Sequence, residues 1–400
     1  MQDNIDGLVQ ELVRAQILPV PLQFTALQDV FTYLNTLPQK MVVVIDEYPY
    51  LKAMNESATV DSIFQSIIDN RIANIALIIS GSHIGMMKET LQEKNALYGR
   101  FAATIKLNEL SYLDAAKFYP DKPPYEKAAH FAVFGGSPFV NQMLCPTATL
   151  RENIIHTILN PVSPVYLYAS QLLLSDYAVK MNAERIFAVL GNSKKRYTEI
   201  EDKLDAKKTG NLAKQMKPLI DLEIITRNNP INKLGDNKKS GFEINDNLLR
   251  FYFTFLYKNA SALQMLGAEA FYNEYIAPVL TEFISRRFEG ICRDYFSLQV
   301  RAGKRGGVRN IGSYYYDDPV HRKNGEFDVV LEYADGYEIY EAKYYAQPMT
   351  LDEIHREVRQ VEAIRELKVK QLGFIAINGF AEEESPYTYL NGKDIYAEES

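Results

Sequence analysis

The sequence predicts an α/β protein built in three parts, and three observations carry that prediction. Over residues 1–164, short continuous apolar runs alternate with amphipathic segments. Over residues 165–260, helical segments precede two strands joined by a polar hairpin. Over residues 261–400, a long amphipathic segment is followed by two acid-bearing strands, a helix and a further strand. Continuous apolar strands alternating with helices are the mark of a parallel sheet with covered faces.

Four hundred residues with 47% apolar content are enough for two or three cores. The formal net charge of −7 argues against a surface broadly coated with nucleic acid, while a local basic patch is compatible with it. Cys145 and Cys292 lack metal-ligand spacing and the five histidines are scattered, which argues against zinc and for a reducing compartment. The chain opens on Met1, Gln2, Asp3 and Asn4 without a basic and apolar leader, and no apolar run is long enough to span a bilayer. A cytoplasmic protein without a membrane segment is the expectation.

In the first part, Ile5–Ile17 sets Leu8, Leu12, Val13 and Ile17 at helical spacing before Pro19 and Pro21 end the helix. Leu27–Leu37 reads as a second helix, stopped by Pro38. Met41–Ile45 and Ile75–Ser80 read as buried strands, with a helix over Val60–Ile72 between them. A further strand is expected over Ala103–Leu107, then a helical segment from Tyr112 to Asn160 interrupted by Gly135, Gly136 and Pro138. Residues 161–164 read as a linker.

The first of these strands delivers Asp46 and Glu47 to the sheet edge, the shape of a Walker B element. There one carboxylate can hold Mg²⁺ through water and the next can polarise an attacking water. An Asp-Glu pair closing a strand is also often only a solvated loop. Ser80 closes the following strand, where a polar side chain can reach a γ-phosphate, and Arg100 precedes the strand after that. In this order the elements resemble the archaeal-type ATPases of the AAA+ and STAND-related group, over about residues 22–160 and on into the third of the chain that follows. That resemblance implies Asp46 and Glu47 as the Mg²⁺ and water residues, Ser80 as a sensor and Arg100 as an arginine finger, with residues 112–160 as a helical lid. The Gly-x-x-x-x-Gly-Lys-Ser/Thr loop that wraps phosphates is absent from the sequence. A truncated P-loop-type sheet is therefore expected, either a shortened gene product or a half reduced to scaffolding, with weak ATP binding and no hydrolysis of its own. Its missing strand would leave Ala103–Leu107 without a neighbour.

In the second part, Ala183–Leu190, Tyr197–Leu204 and Thr209–Leu222 read as helices, and Glu223–Arg227 and Ser240–Ile244 as the strands of a ribbon. Three helices and a ribbon make a winged helix-turn-helix. Between Ser193 and Pro218 stand eight Lys/Arg against four Asp/Glu. Lys194, Lys195 and Arg196 precede the second helix; Lys207, Lys208, Lys214 and Lys217 lie on or near the third; Lys233, Lys238 and Lys239 decorate the wing. Contacts of this kind give salt-sensitive, sequence-independent nucleic-acid binding, DNA being favoured. Equally, the lysines can solvate the outer face of a spacer or protein-docking module.

In the third part, Phe271–Phe296 reads as a long helix, Glu326–Glu332 and Tyr337–Tyr344 as strands joined by an Ala-Asp-Gly turn, Leu351–Leu367 as a helix and Leu372–Ile377 as a strand. Period-two alternation puts Glu341 and Lys343 on one face, with Asp328 opposite the end of their strand. Asp328 and Glu341 can then hold Mg²⁺ or Mn²⁺, while Lys343 orients water or steadies charge on a phosphate. An acid followed at a short interval by Glu-x-Lys resembles the PD-(D/E)XK nucleases, which implies a restriction-endonuclease-like domain over about residues 262–385. Glu289 on the preceding helix could add a carboxylate, and Gln360 stands where that superfamily often places a polar residue. Arg301, Lys304, Arg305 and Arg309 form a stretch without acids that offers phosphate contacts, Arg305 foremost. The motif's leading proline is replaced by Phe327. A surface hairpin with cross-strand charge pairs is the structural alternative.

The sequence thus points to a DNA-associated protein with a residual nucleotide site and a metal-dependent nuclease-like domain; a homo-oligomer is a further expectation. The competing reading is a non-catalytic regulatory or scaffold protein.

Overall fold

The computed structural model describes residues 1–53, 57–70, 72–81, 84–174, 183–191, 193–205, 211–318, 323–364 and 367–397. The chain divides into two compact units, residues 1–107 and 108–400, of mixed α/β composition.

In the N-terminal unit, β1 (Met41–Ile45) and β2 (Ile75–Ile79) pair in parallel, Met41 beside Ile75 and Ile45 beside Ile79. Helices Gln2–Arg14, Leu27–Thr36 and Ser57–Asp69 contribute Ile5, Val9, Phe31, Leu34, Phe64 and Ile67 to a core that also holds Val43. Each such side chain contributes roughly 1.5–3 kcal/mol by burial. The opposite sheet face is open: Val42 and Val44 are 65% and 57% exposed. A parallel sheet ordinarily covers both faces. Under the covered face, Asp61 accepts hydrogen bonds from Tyr48 Oη at 2.7 Å, Lys52 Nζ at 2.8 Å and Asn95 Nδ2 at 2.8 Å. The strand expected over Ala103–Leu107 does not form, and Ile105 and Leu107 are 82% and 90% exposed. Backbone groups need a paired neighbour to make a strand, and β1–β2 is a sheet of two strands.

The C-terminal unit begins before the expected boundary at 164. Helices Tyr112–Ala116, Pro124–Phe134, Pro138–Gln142 and Leu150–His156, expected as a lid on the first sheet, share one core with the helix Ala277–Arg301 and the C-terminal sheet. Tyr125 and Tyr344 stack with ring centroids 4.3 Å apart, and Tyr112 Oη donates to the Ile395 carbonyl at 2.8 Å. At the turn between the helices Pro124–Phe134 and Pro138–Gln142, a Cβ on Gly136 would stand 2.1 Å from the Leu110 carbonyl oxygen, so only glycine fits.

Helices Ala183–Leu190, Tyr197–Lys203 and Leu212–Asp221 pack Ile186, Phe187, Ile200, Met216 and Leu219 into a separate core against an antiparallel sheet. Its strands β3 (Lys195–Arg196), β4 (Ile225–Asn228) and β5 (Gly241–Ile244) run in the order β3-β5-β4. The β4–β5 hairpin leans on the C-terminal sheet: Asn232 exchanges hydrogen bonds with the backbone of Tyr315 at 2.8 and 3.0 Å.

That sheet has five strands rather than the three expected, β6 (Asn310–Asp318), β7 (Lys323–Glu332), β8 (Tyr337–Lys343), β9 (Val369–Ala376) and β10 (Thr388–Asn391), ordered β10-β9-β8-β7-β6. β6, β7 and β8 are antiparallel; β8, β9 and β10 are parallel, with the helix Leu351–Glu362 as the crossover between β8 and β9. Val329, Leu331 and Tyr340 face the helix Ala277–Arg301, whereas Val330, Ile339 and Phe374 face Leu351–Glu362. The sheet is thus covered on both sides, which is why its central strands read as apolar runs.

Candidate functional site

β7 carries the first acid. It pairs with β8 from Val329–Tyr340 to Glu332–Tyr337, so continuing the register by one place sets Asp328 against Glu341. On the other side, pairing with β6 jumps from Gly312–Val330 to Tyr314–Phe327, which leaves Asp328 and Val329 together opposite Ser313. This bulge breaks the alternation of β7 at Asp328 and re-aims its side chain.

On β8, alternation from buried Ile339 puts Glu341 and Lys343 toward the helix Leu351–Glu362. Lys343 Nζ donates to Glu341 Oε1 at 2.6 Å and lies 3.3 Å from Glu357 Oε1. Burial works against the ammonium, but the two carboxylates outweigh it and hold its pKa above the ordinary lysine value. Burial pushes Glu341 up to about 7, with Lys343 pulling it down and Glu357 up.

The helix Ala277–Arg301 supplies the rest. Glu289 and Arg293 are four residues apart and share a face. Burial, then the neighbouring Asp328, pushes Glu289 up to about 8. Asp328 is itself raised by burial, against the pull of Arg293 and Lys194. Arg293 Nη1 donates to the Asp328 carbonyl at 2.8 Å. Glu289 and Asp328 open into a cleft of about 910 Å³ between the basic three-helix unit and the sheet. Lys194, Arg227, Arg286, Arg287 and Arg293 line it, with Glu243 and Glu326. Glu341 and Lys343 do not line the cleft; Glu341 meets it through its charge coupling to Glu289 and Asp328.

The structure therefore brings Asp328, Glu289, Glu341 and Lys343 into one electrostatic cluster. Among the described residues, no group of three or more acidic, histidine or cysteine side chains stands ready-made for a metal ion. Gln360 is outside the cluster, donating to Tyr316 Oη at 2.7 Å. Arg305, expected at a phosphate, is committed elsewhere: it pairs with Glu338 and donates to Tyr340 Oη at 3.1 Å, with the Phe296 ring 4.9 Å away. The reasoning from sequence missed Arg287, Arg293, Arg227 and Glu357. The available signal was the run Arg286-Arg287 just before Glu289, with Arg293 one turn beyond.

Of the basic residues, Lys194 is ion-paired with Glu326, and Lys195 donates to Ser193 Oγ. Arg196, Lys214 and Lys217 are exposed. Lys239 Nζ lies 3.7 Å over the Tyr315 ring, so this wing lysine packs on the sheet. Lys207 and Lys208 lie outside the described residues.

In the N-terminal unit, Ser80 Oγ donates to Asp46 Oδ1, and the Glu47 N–H donates to the same oxygen at 3.1 Å. Three of the four expected nucleotide residues thus meet at Asp46 Oδ1. Glu47 adopts a left-handed φ of 52° at the strand end. Arg100, expected as a finger, makes a two-pronged pair with Asp69, Nε and Nη2 each at 2.8 Å, and donates to the Ala96 carbonyl at 3.0 Å. Its guanidinium holds its own unit together in this arrangement.

Residues 3–138 match a family model described as an ATPase domain predominantly from Archaea, and residues 252–358 match one described as archaeal and bacterial proteins of unknown function. An uncharacterized protein of Methanocaldococcus jannaschii is 29% identical over 273 residues, 66% of this chain. The aligned part spans 60% of that relative's length. A crystal structure of a Vibrio cholerae protein overlaps 92% of this chain and 92% of its own at 10% identity, with a TM-score of 0.24. Can2 from Sulfobacillus thermosulfidooxidans in complex with cyclic tetra-adenylate overlaps 88% of this chain and 85% of its own at 10% identity, with a TM-score of 0.19. Scores this low carry no argument about fold or function. Residues 3–138 are thus similar to an archaeal ATPase domain, and residues 252–358 to proteins of unknown function.

Proposed function

We propose that the C-terminal unit is a metal-dependent, nuclease-like domain of the PD-(D/E)XK kind, in a DNA-associated protein whose N-terminal unit is an ATPase-family domain with a residual nucleotide site. One observation carries this reading. Asp328 and Glu341 stand opposite one another on adjacent strands, with Lys343 hydrogen-bonded to Glu341 and the charges of both acids acting on Glu289.

The donor set suits a hard divalent cation. Buried carboxylates that raise one another's pKa gain most from a positive charge among them. Asp328, Glu341 and Glu289 would hold Mg²⁺ or Mn²⁺, which when bound supplies charge neutralisation at a phosphate and a more acidic water. Lys343 would give up part of its contact with Glu341 and Glu357 to steady charge on the phosphate. Arg293, anchored to the Asp328 carbonyl, keeps β7 fixed against the helix that carries Glu289. The three-helix unit, as a winged helix, would lend Lys214 and Lys217 to the DNA backbone.

The test is nicking of supercoiled plasmid in Mn²⁺ and then Mg²⁺, wild type beside Lys343→Ala. Cutting by wild type that is lost in the variant supports the reading; no cutting by wild type defeats it. A second reading, a non-catalytic scaffold, is favoured by Lys343 being held between two carboxylates and by the lack of a ready-made metal cluster among the described residues.

A further inference from the structure

Arg287 stands out among the cations of the cleft. It is 8% exposed, and its Nη1 is buried without a hydrogen-bond partner among the described residues. The other cations there are engaged: Lys194 with Glu326, Arg227 with Ser240 Oγ at 3.1 Å, Arg286 with Glu282, and Arg293 with the Asp328 carbonyl. Arg250 takes Glu243 at 3.0 Å, so the carboxylate whose charge acts most strongly on Arg287 is already paired. The Phe283 ring, 5.5 Å from the Arg287 guanidinium, fixes its plane without supplying an acceptor. A buried guanidinium edge without an acceptor is costly unless a ligand brings one, and a phosphate oxygen is the acceptor its fork fits best.

We propose that this cleft is a phosphate site for a single nucleic-acid strand, anchored by Arg287 and flanked by Arg293, Lys194 and Arg227. Its size matches pockets that enclose one small ligand, about 300–1,000 Å³, and so suits one or two nucleotides of a strand rather than a duplex. Asn228, Asn229 and Asn237 also line the cleft, and Asn229 Oδ1 is a buried acceptor without a partner among the described residues, able to take a hydrogen bond from a base or sugar. The site abuts Glu289 and Asp328, so a strand seated on Arg287 runs toward the carboxylate cluster. Its existence does not require that cluster to be catalytic.

The test uses the full chain in EDTA, so that no cleavage occurs, and reads fluorescence anisotropy of a short labelled single-stranded oligodeoxynucleotide. Arg287→Met keeps the volume of the side chain and removes its donors; it is expected to weaken binding by about tenfold or more, and Lys393→Ala, at an exposed lysine that does not line the cleft, to bind as wild type does. Should the buried change impair folding, seen by circular dichroism, the exposed pair Lys194→Gln with Arg227→Gln carries the same expectation. Unchanged affinity in both variants overturns the inference, as does tighter binding of a duplex of the same sequence. Inorganic phosphate that raises the melting temperature while no strand binds also overturns it, in favour of a small phosphorylated ligand. Loss of plasmid nicking in Lys343→Ala with strand binding intact in Arg287→Met leaves the nuclease reading standing and removes this one; the reverse pattern does the opposite.

Discussion

His130 gives the C-terminal unit a dependence on acid that can be worked out from its surroundings. It is fully buried on the helix Pro124–Phe134. Its Nδ1 lies 2.8 Å from the Glu126 carbonyl and its Nε2 lies 3.3 Å from Asn153 Nδ2. Asn153 is itself held, its Oδ1 by the Cys145 N–H and its Nδ2 on the Cys145 carbonyl. This network assigns a neutral ring that donates from Nδ1 and accepts at Nε2; a second proton would face the Asn153 amide group. Burial, helped by the Lys122 charge and opposed by Glu126, depresses the pKa from 6.5 to about 4. A base with a depressed folded pKa leaves the folded state with fewer protons than the unfolded state between those values. The folded state is then favoured above the unfolded pKa and loses ground as pH falls through the window from 6.5 toward about 4. A tenfold difference in proton affinity between the two states corresponds to about 1.4 kcal/mol, so the loss approaches about 3 kcal/mol when the window has been crossed. Glu289 and Glu341, raised to about 8 and about 7, act in the opposite sense and favour the folded state on acidification. The comparison is therefore wild type against His130→Gln, which share those carboxylates. Urea unfolding of both proteins across neutral to acid pH should show the variant's disadvantage shrinking by about 2–3 kcal/mol at the acid end. Parallel pH profiles for the two proteins would refute the assignment of a neutral, buried imidazole.

In the N-terminal unit, Lys52 and Asp61 form a buried pair 2.8 Å apart, so Asp61→Ala should destabilise by about 3–5 kcal/mol in denaturant melts, while Lys52→Met with Asp61→Leu should recover most of that; additive losses would show the pair to be worth little. Lys214→Glu with Lys217→Glu should weaken duplex DNA binding and flatten its salt dependence, measured by filter binding at several salt concentrations; a salt-independent affinity would take the three-helix unit out of DNA recognition. ATP with Mg²⁺ should shift the melting temperature only marginally, and a large shift abolished by Asp46→Ala would show that Asp46 and Ser80 hold nucleotide without a phosphate loop.

Much of the local architecture was legible in the sequence because it rests on periodicity. Apolar runs bounded by Pro, Gly or acids located β1, β2, β7, β8 and β9 to within a few residues. Alternation on β8 and the short turn before it were enough to place Glu341 beside Lys343 and opposite Asp328. The expectation that Ala103–Leu107 would want a neighbour was also readable, though not that the segment would then leave the sheet altogether. β6 was missed because Asn310, Gly312 and Ser313 at its start and Asp317 and Asp318 at its end give weak strand signals, and β10 because it is only four residues long; pairing with β7 and β9 makes them strands.

What the sequence by itself determined is which segments can be helix or strand and which charged groups stand near one another along a strand. Tertiary structure alone decided where the helical segment after residue 107 packs, since its apolar faces suit either sheet and Tyr344 and Ile395 lie far away in the chain. It likewise decided the fate of each arginine. Arg100 and Arg305 looked free for phosphate but met Asp69 and Glu338, whereas Arg287, unremarked in the sequence, was buried beside the cleft with an unused donor. A long cation binds whichever acceptor the fold brings within about 3 Å, and that choice is made by contacts between residues distant in sequence.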